Sequence, residues 1–146
     1  ITCKYIEDVY KVAEMIKNRH DIMLLEVRDY IKNVKPSGYR SLHLIVEYNV
    51  ETIDGTKPIR LEFQIRTHSM HFWASIEHSL KYKYQKQIPL EIKERLYRAS
   101  EASARLDNEM SSIKAMMDEL EQLGVGNNVI DDSLEDEVTV NNFKRW

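Results

Sequence analysis

The chain has 146 residues, of which 42% are apolar and 31% charged, which indicates one soluble domain with a hydrophobic core. Its net charge of −3 at neutral pH excludes a general attraction for nucleic acid. Its single cysteine, Cys3, excludes an internal disulfide and suits a reducing compartment. No apolar run reaches membrane length and no signal peptide is evident, so we expect a cytoplasmic protein in which any polyanionic ligand binds a local basic patch.

The first residues predict a strand, a helix and a second strand. Residues 1–4 resemble the end of a strand, and because the chain opens without an initiator methionine we expect an upstream segment that carries part of any active site. From Tyr5 to about Arg19 apolar residues recur three or four positions apart, which predicts an amphipathic helix. The second strand is expected over 22–31, with Ile22, Leu24, Glu26, Arg28 and Tyr30 on one face. A strand, a helix and a strand in succession predict a crossover connection and a sheet that is at least partly parallel.

Residues 32–40 form the one loop with concentrated basic charge. Its lysines suit phosphate binding and its aromatic residue, Tyr39, suits stacking on a base. A plain basic surface turn is the alternative. The loop contains Lys32, Lys35 and Arg40 together with the breakers Pro36 and Gly38.

Two strands joined by a hairpin are expected next. Residues 41–50 alternate as in a strand, Asp54-Gly55 is a strong hairpin signal, and residues 60–67 alternate again. The two strands are therefore expected to pair antiparallel, which makes the sheet mixed. The last strand has an apolar face (Leu61, Phe63, Ile65) and a polar face (Arg60, Glu62, Gln64, Arg66).

A helix is expected from the N-cap Thr67 to about Tyr84. Its stripe of Met70, Trp73, Ile76, Leu80 and Tyr84 is expected to belong to the core. The histidines at 68, 71 and 78 lie along the same helix, but with no cysteine nearby a zinc site is not favoured. Ser75 and His78 lack the turn that a hydrolase needs.

The longest periodic segment predicts a helix over residues 89–123, ended by Gly124 and Gly126. We expect its stripe to bind a partner subunit; folding back on its own domain is the alternative. Residues 124–146 are expected to form a mobile acidic tail. The stripe is Ile92, Leu96, Ala99, Ser103, Leu106, Met110, Ile113, Met117 and Leu120.

Glu62 is the strongest candidate for chemistry. A carboxylate among Arg and Gln side chains suits metal binding or removal of a proton from a hydroxyl. Arg28 and His43, on other predicted strands, could converge on it. The alternatives are a solvated strand face and a cross-strand ion pair of Glu62 with Arg28 or Lys57.

Three segments together resemble the synthetase domain of the RelA/SpoT family, and the resemblance covers about residues 1–120. The long helix and the lack of a hydrolase or regulatory region make the chain most similar to a small alarmone synthetase, with the synthetase domain at 1–123. The segments are Lys35-Pro-Ser-Gly-Tyr-Arg-Ser-Leu-His43, Glu62-Phe-Gln-Ile-Arg-Thr67 and Phe72-Trp-Ala-Ser-Ile-Glu-His78.

The resemblance implies an α/β (α+β) fold, a mixed sheet flanked by helices and related to nucleotidyltransferases. It implies a Mg²⁺-dependent GTP diphosphokinase that moves the β,γ-pyrophosphate of ATP to the 3′-hydroxyl of GDP or GTP. The products are AMP and the stringent-response nucleotides (p)ppGpp. A homotetramer assembled through the long helix is implied as well, with (p)ppGpp a candidate allosteric ligand. A catalytically silent nucleotide- or RNA-binding module and a different nucleotidyltransferase on the same scaffold are the alternatives.

Site residues follow from the same resemblance. Tyr39 would stack on guanine, and Glu62 would lie beside the ribose 3′-hydroxyl as general base or Mg²⁺ ligand. The family also uses an Asp for Mg²⁺ in an Asp-x-x-Gly-x-Arg segment, which is expected just before Ile1. His71 stands where some relatives have an amide that contacts guanine. The other acceptor-binding residues would be Arg28, Lys35 and His43 at the phosphates and Gln64 in positioning the nucleotide.

Overall fold

The computed structural model describes residues 1–84 and 88–124. The chain divides into a compact unit, Ile1–Ser112, and a second unit that begins at Ile113 within the last helix. No helix in the described ranges is long and apolar enough to cross a membrane. The elements are β1 (Thr2–Cys3), α1 (Ile6–Lys17), β2 (Ile22–Asp29), β3 (Leu42–Thr52), β4 (Gly55–Thr67), α2 (His68–Lys83) and α3 (Leu90–Gln122).

The four strands form one sheet in the order β1-β4-β3-β2. β1 pairs parallel with β4, placing Thr2 opposite Arg66, and the other two pairs are antiparallel. The predicted mixed sheet of an α/β protein is therefore confirmed. The expected crossover exists, since β1 and β2 run in the same direction, but the two strands lie at opposite edges with β4 and β3 between them.

The predicted hairpin is confirmed. Thr52 pairs with Gly55, so Ile53 and Asp54 form a two-residue turn between β3 and β4. Gly55 has a φ of +101°, a left-handed value that favours glycine. The Thr52 hydroxyl donates a hydrogen bond to the Gly55 carbonyl at 2.7 Å, which stabilises the turn.

The core lies between the sheet and α1. Antiparallel register pairs Leu42 with Ile65 and Leu44 with Phe63, and residues paired in this way point to the same face. That face packs on α1, while His43 and Gln64 point to the other. Leu61 is exposed, so the predicted apolar face of β4 is core only away from the hairpin tip. The cluster of buried side chains is Cys3, Val9, Ala13, Leu42, Leu44, Val46 and Ile65.

The prediction that one face of the second strand carries alternate residues from Ile22 to Tyr30 is wrong. A bulge shifts the register between Leu24, which pairs with Val46, and Glu26, which pairs with Ile45. Because Val46 faces the core and Ile45 the opposite side, the bulge moves Glu26 and Arg28 to the polar face. Ile22 packs against the core cluster instead.

The prediction for α2 is confirmed at its start and partly wrong along its length. The Thr67 hydroxyl accepts a hydrogen bond from the Met70 amide at 3.1 Å, as an N-cap does. Met70 and Trp73 are buried, but Ile76 and Tyr84, expected in the core, are exposed. The buried face is rotated, because α2 packs through positions 70, 73, 74 and 77.

Most of the stripe predicted on α3 is exposed in the single chain, whereas Leu96 and Ser103 are partly buried against α2, where the Trp73 indole donates to the Leu96 carbonyl and Ser103 bonds to Ser69. The face of α3 that packs inward is polar: Ser100 and Asp107 are its buried residues. Gly124, with a φ of +70°, follows the helix end as predicted. Gly126 and the acidic tail lie outside the described residues, so the domain boundary at 123 stays a prediction. The exposed stripe residues are Ile92, Ala99, Leu106, Met110, Ile113, Met117 and Leu120.

Candidate functional site

The polar face of the sheet brings the predicted site residues into two cross-strand rows. Arg28 pairs with His43, which in turn pairs with Gln64. In the next row Ile45 lies between Glu26 and Glu62. Since paired residues point to the same side of a sheet, the antiparallel register alone collects these side chains on one surface.

His43 lies at the centre of this surface. Its Nε2 is 2.9 Å from the Tyr39 hydroxyl and its Nδ1 is 3.1 Å from a carboxylate oxygen of Glu62. Burial lowers the pKa of His43, and the nearby cations lower it further against the opposing effect of Glu62. The imidazole is therefore neutral at pH 7, so the hydrogen-bond partners indicate that Nδ1–H donates to Glu62 and Nε2 accepts from Tyr39.

Three rings pack edge to face beside the imidazole and form an aromatic platform, which we define as Tyr30, Tyr39 and His43. Ring centroids are 6.2 Å apart for Tyr30 and Tyr39 and 5.9 Å apart for Tyr39 and His43. The Lys35 ammonium lies 4.3 Å from the Tyr30 ring and 5.1 Å from the Tyr39 ring. The Arg66 guanidinium lies 5.7 Å from the Tyr39 ring. The basic loop is thus joined to the sheet face rather than forming a separate surface turn.

Glu62 is not used in either of the ion pairs that the sequence offered as alternatives. Arg28 forms a fork with Glu26, with both N–O distances at 2.8 Å, and Lys57 pairs with Asp54 at 3.0 Å. The Glu62 carboxylate instead accepts from the Gln64 amide at 2.7 Å. Its side chain is 38% exposed, so a ligand can reach it from solvent.

The carboxylate of Asp29 anchors the start of the basic loop. Its Oδ1 accepts from the amides of Ile31 and Lys32, both at 3.0 Å, and its Oδ2 accepts from the Tyr10 hydroxyl at 3.1 Å. Burial and this carboxylate raise the pKa of Tyr10 to about 12, so the phenol stays protonated. The loop therefore leaves the sheet from a fixed point above α1.

His71 is the predicted site residue that the structure does not bring into contact with the others. It lies on α2, its side chain is exposed, and within the described residues it makes no hydrogen bond or ring contact. Sequence reasoning placed Tyr30 on the face of Arg28 and Arg66 on the polar face of the last strand, but it missed the contacts of both residues with Tyr39. Alternation along each strand was the available signal, since Tyr30 follows Arg28 by two positions and Arg66 follows Gln64 by two.

A cavity of about 680 Å³ lies away from these residues. It is bordered by Pro36, by Glu77 of α2, by Ile88 and by Leu96 of α3. Its described lining shares no residue with the aromatic platform or with Glu62. The convergent polar groups on the sheet are the better guide to the site. No group of three or more His, Cys, Asp or Glu side chains that could hold a metal ion occurs within residues 1–84 and 88–124.

The fold and this surface define an α/β domain whose mixed sheet carries an aromatic platform, a carboxylate and several cations on its open face. The sequence of residues 1–87 matches the protein-family model that is described as the region found in RelA / SpoT proteins. The chain therefore belongs to the RelA/SpoT family.

Relatives of known structure and name support this assignment. The chain is 50% identical over 119 residues to GTP pyrophosphokinase YjbM of Bacillus subtilis, covering 82% of this chain and 56% of that protein. It resembles the crystal structure of small alarmone synthetase 1 from Bacillus subtilis bound to its product pppGpp, with a TM-score of 0.78, 51% identity and coverage of 80% of this chain and 60% of the other. A GTP pyrophosphokinase family protein from Streptococcus pneumoniae gives a TM-score of 0.80 and 46% identity, with coverage of 84% and 64%. The chain thus spans somewhat more than half the length of these relatives.

Proposed function

We propose that this chain belongs to a GTP diphosphokinase, which transfers the β,γ-pyrophosphate of ATP to the 3′-hydroxyl of GDP or GTP and releases AMP. The observation that carries the proposal is the contact of Tyr39 and Glu62 with one imidazole, which puts an aromatic surface and an accessible carboxylate side by side. The relatives named GTP pyrophosphokinase, and the one bound to pppGpp, support the same reaction.

The platform and its cations would hold the acceptor nucleotide. Tyr39 offers a ring for stacking on guanine, because the flat face of a base packs against an aromatic side chain. Lys35 and Arg28 offer positive charge for the phosphates, and Gln64 offers an amide for orientation. Both nitrogens of His43 are already engaged, so we assign it to positioning Tyr39 and Glu62 rather than to direct phosphate contact.

Glu62 would take the proton from the 3′-hydroxyl as that oxygen attacks the β-phosphorus of ATP. The bond between the β-phosphorus and the oxygen that bridges the α- and β-phosphorus atoms breaks, and this oxygen leaves with AMP. Such transfers depend on alignment and on charge around the phosphates rather than on covalent chemistry by the protein. Mg²⁺, when bound, would neutralise phosphate charge. Glu62 fits such an ion because Mg²⁺ in proteins is commonly held by one or two carboxylates together with waters and substrate phosphates.

Assembly and further ligands belong to the same proposal. The exposed apolar stripe of α3 suits contact with other copies of the chain, so we propose the homotetramer. We also propose allosteric binding of (p)ppGpp and a cytoplasmic location.

The test is a reaction of the purified full-length protein with ATP, GDP and Mg²⁺, analysed by anion-exchange chromatography. We expect AMP and guanosine tetraphosphate in equal amounts. ADP or inorganic phosphate as the only product would contradict the proposed reaction. GTP binding without any product would favour the catalytically silent module instead.

A further inference from the structure

The inward-packing face of α3 is bonded to the backbone of the basic loop. Ser100, 2% exposed, donates from its hydroxyl to the Gly38 carbonyl at 2.5 Å. The Arg40 guanidinium donates to that same carbonyl at 3.1 Å and to the hydroxyl of Ser100. Its other terminal nitrogen donates to the Glu101 carboxylate at 2.6 Å. We call Arg40, Ser100 and Glu101 the latch.

The position of the basic loop is fixed by its close packing against α3. Gly38 has a φ of +90°, and a Cβ atom built there would lie 2.5 Å from the Ser100 hydroxyl oxygen and 2.7 Å from its Cβ. No side chain fits in that space, so the backbone of the loop rests directly on the helix. The Gly38 amide also donates to the Lys35 carbonyl at 2.8 Å, so holding Gly38 holds Lys35.

Tyr39 is consequently supported from two directions. Its hydroxyl is bonded to His43 on the sheet, while the residues on both sides of it, Gly38 and Arg40, are bonded to α3. The Arg40 side chain is only 13% exposed and Glu101 is 41% exposed, so the charged pair is partly shielded from water and stronger than a surface pair. None of these bonds is made to the hydrophobic cluster between the sheet and α1.

We infer that Arg40, Ser100 and Glu101 are positioning residues for the acceptor nucleotide. They hold the loop that carries Lys35 and Tyr39 in the position in which the Tyr39 ring stacks on guanine. This rests on the proposed function. The latch would act through the loop rather than by contact with the nucleotide. Its loss is expected to weaken GDP and GTP binding and to leave ATP binding unchanged, because the hydrogen bonds that the latch makes within residues 1–84 and 88–124 join the acceptor loop to α3.

The test compares Ser100→Ala and Glu101→Gln with the matched controls Ser112→Ala and Glu109→Gln, which make the same changes at exposed positions of α3. In the full-length protein we expect amide hydrogen exchange at residues 35–40 to speed up in the latch variants alone. We expect their dissociation constant for GTP, by titration calorimetry, to rise about fivefold to tenfold, as for the loss of one or two hydrogen bonds. The KM for ATP should stay within about twofold.

Unchanged exchange at residues 35–40, or unchanged GTP binding, would overturn the inference. A parallel loss of ATP and GTP affinity with a lower melting temperature would also overturn it, because that is what a merely structural role produces. If Ser100→Ala does not fold, Arg40→Lys keeps the charge but loses the planar fork, and the same pattern is expected from it. Neither exchange nor GTP binding needs turnover, so a wild-type protein that makes no (p)ppGpp would refute the proposed reaction and leave the latch to be judged on these two measurements.

Discussion

Tyr39 and Glu62 contact opposite nitrogens of one imidazole, the phenol at 2.9 Å from Nε2 and the carboxylate at 3.1 Å from Nδ1 of His43. The residue predicted to stack on a base and the residue predicted to do the chemistry therefore share one side of the sheet. Had they lain on opposite sides, no single nucleotide could have met both. The buried, neutral imidazole holds their spacing through two directional hydrogen bonds.

Replacing Glu62 by Gln is expected to lower kcat at least about 100-fold, since a positioned general base contributes that much or more. Binding of GTP should change less than about threefold, because Gln keeps the size of the side chain and its contact with Gln64. Initial rates and titration calorimetry check the two quantities. Glu94→Gln, an exposed position on α3, is the control. Lost GTP binding with retained fold would place Glu62 in recognition rather than catalysis.

The pKa of His43 should lie below 6.5, its ordinary value, because burial disfavours the charged ring. The folded protein then binds a proton less readily than the unfolded chain, so the stabilisation that His43 provides is complete above pH 6.5 and declines as the pH falls from there through its folded pKa. In Glu62→Gln the pKa should drop further, since the carboxylate raises it. NMR titration of the imidazole measures both values, and a rise on substitution would refute the assignment.

The ring of Tyr39, more than its hydroxyl, is expected to determine acceptor affinity. Tyr39→Ala should raise the KM for GDP about tenfold or more, since stacking on an aromatic side chain contributes about 1–3 kcal/mol per base. Tyr39→Phe keeps the ring and loses only the bond to His43, so a rise of about threefold or less is expected. Steady-state kinetics with GDP varied is the measurement. Tyr82→Ala, at a largely exposed tyrosine of α2, is the control. Equal effects of Phe and Ala would contradict stacking.

Leu44 is fully buried between the sheet and α1. Leu44→Ala is expected to lower the free energy of unfolding by about 2–5 kcal/mol, because it leaves a cavity as well as removing buried methyl groups. Urea denaturation followed by circular dichroism measures the change. The same substitution at the exposed Leu123 should cost less than about 0.5 kcal/mol. Equal losses at the two positions would argue against this core.

The exposed stripe of α3 is expected to bind other copies of the chain. Leu106→Glu together with Ile113→Glu should dissociate the oligomer, since charges would be buried without partners in the contact. Multi-angle light scattering measures the mass. Ser112→Glu adds charge on the same helix outside the stripe and should leave the mass unchanged. If the double variant keeps the wild-type mass, the stripe is not the interface.

Local patterns in the sequence were sufficient for the elements and for most of the site. Period-2 alternation placed Glu62 and Gln64 on one face of a strand, Asp54-Gly55 placed the hairpin, and Thr67 placed the start of α2. Each depends on residues close together in the chain, where backbone geometry determines which side chains share a face. The convergence of Arg28 and His43 on this face was also expected, and the register of the sheet confirms it.

What only the tertiary structure decided depends on residues far apart in sequence. The bulge in β2 sets which residues join Arg28 on the polar face, and the packing of α2 rotates its buried side away from Ile76. Most of all, nothing in the apolar periodicity of α3 indicates that Ser100 presses on Gly38. Periodicity reports which face of a helix is apolar; which polar groups meet across the fold follows from the summed packing and hydrogen bonding of the whole chain.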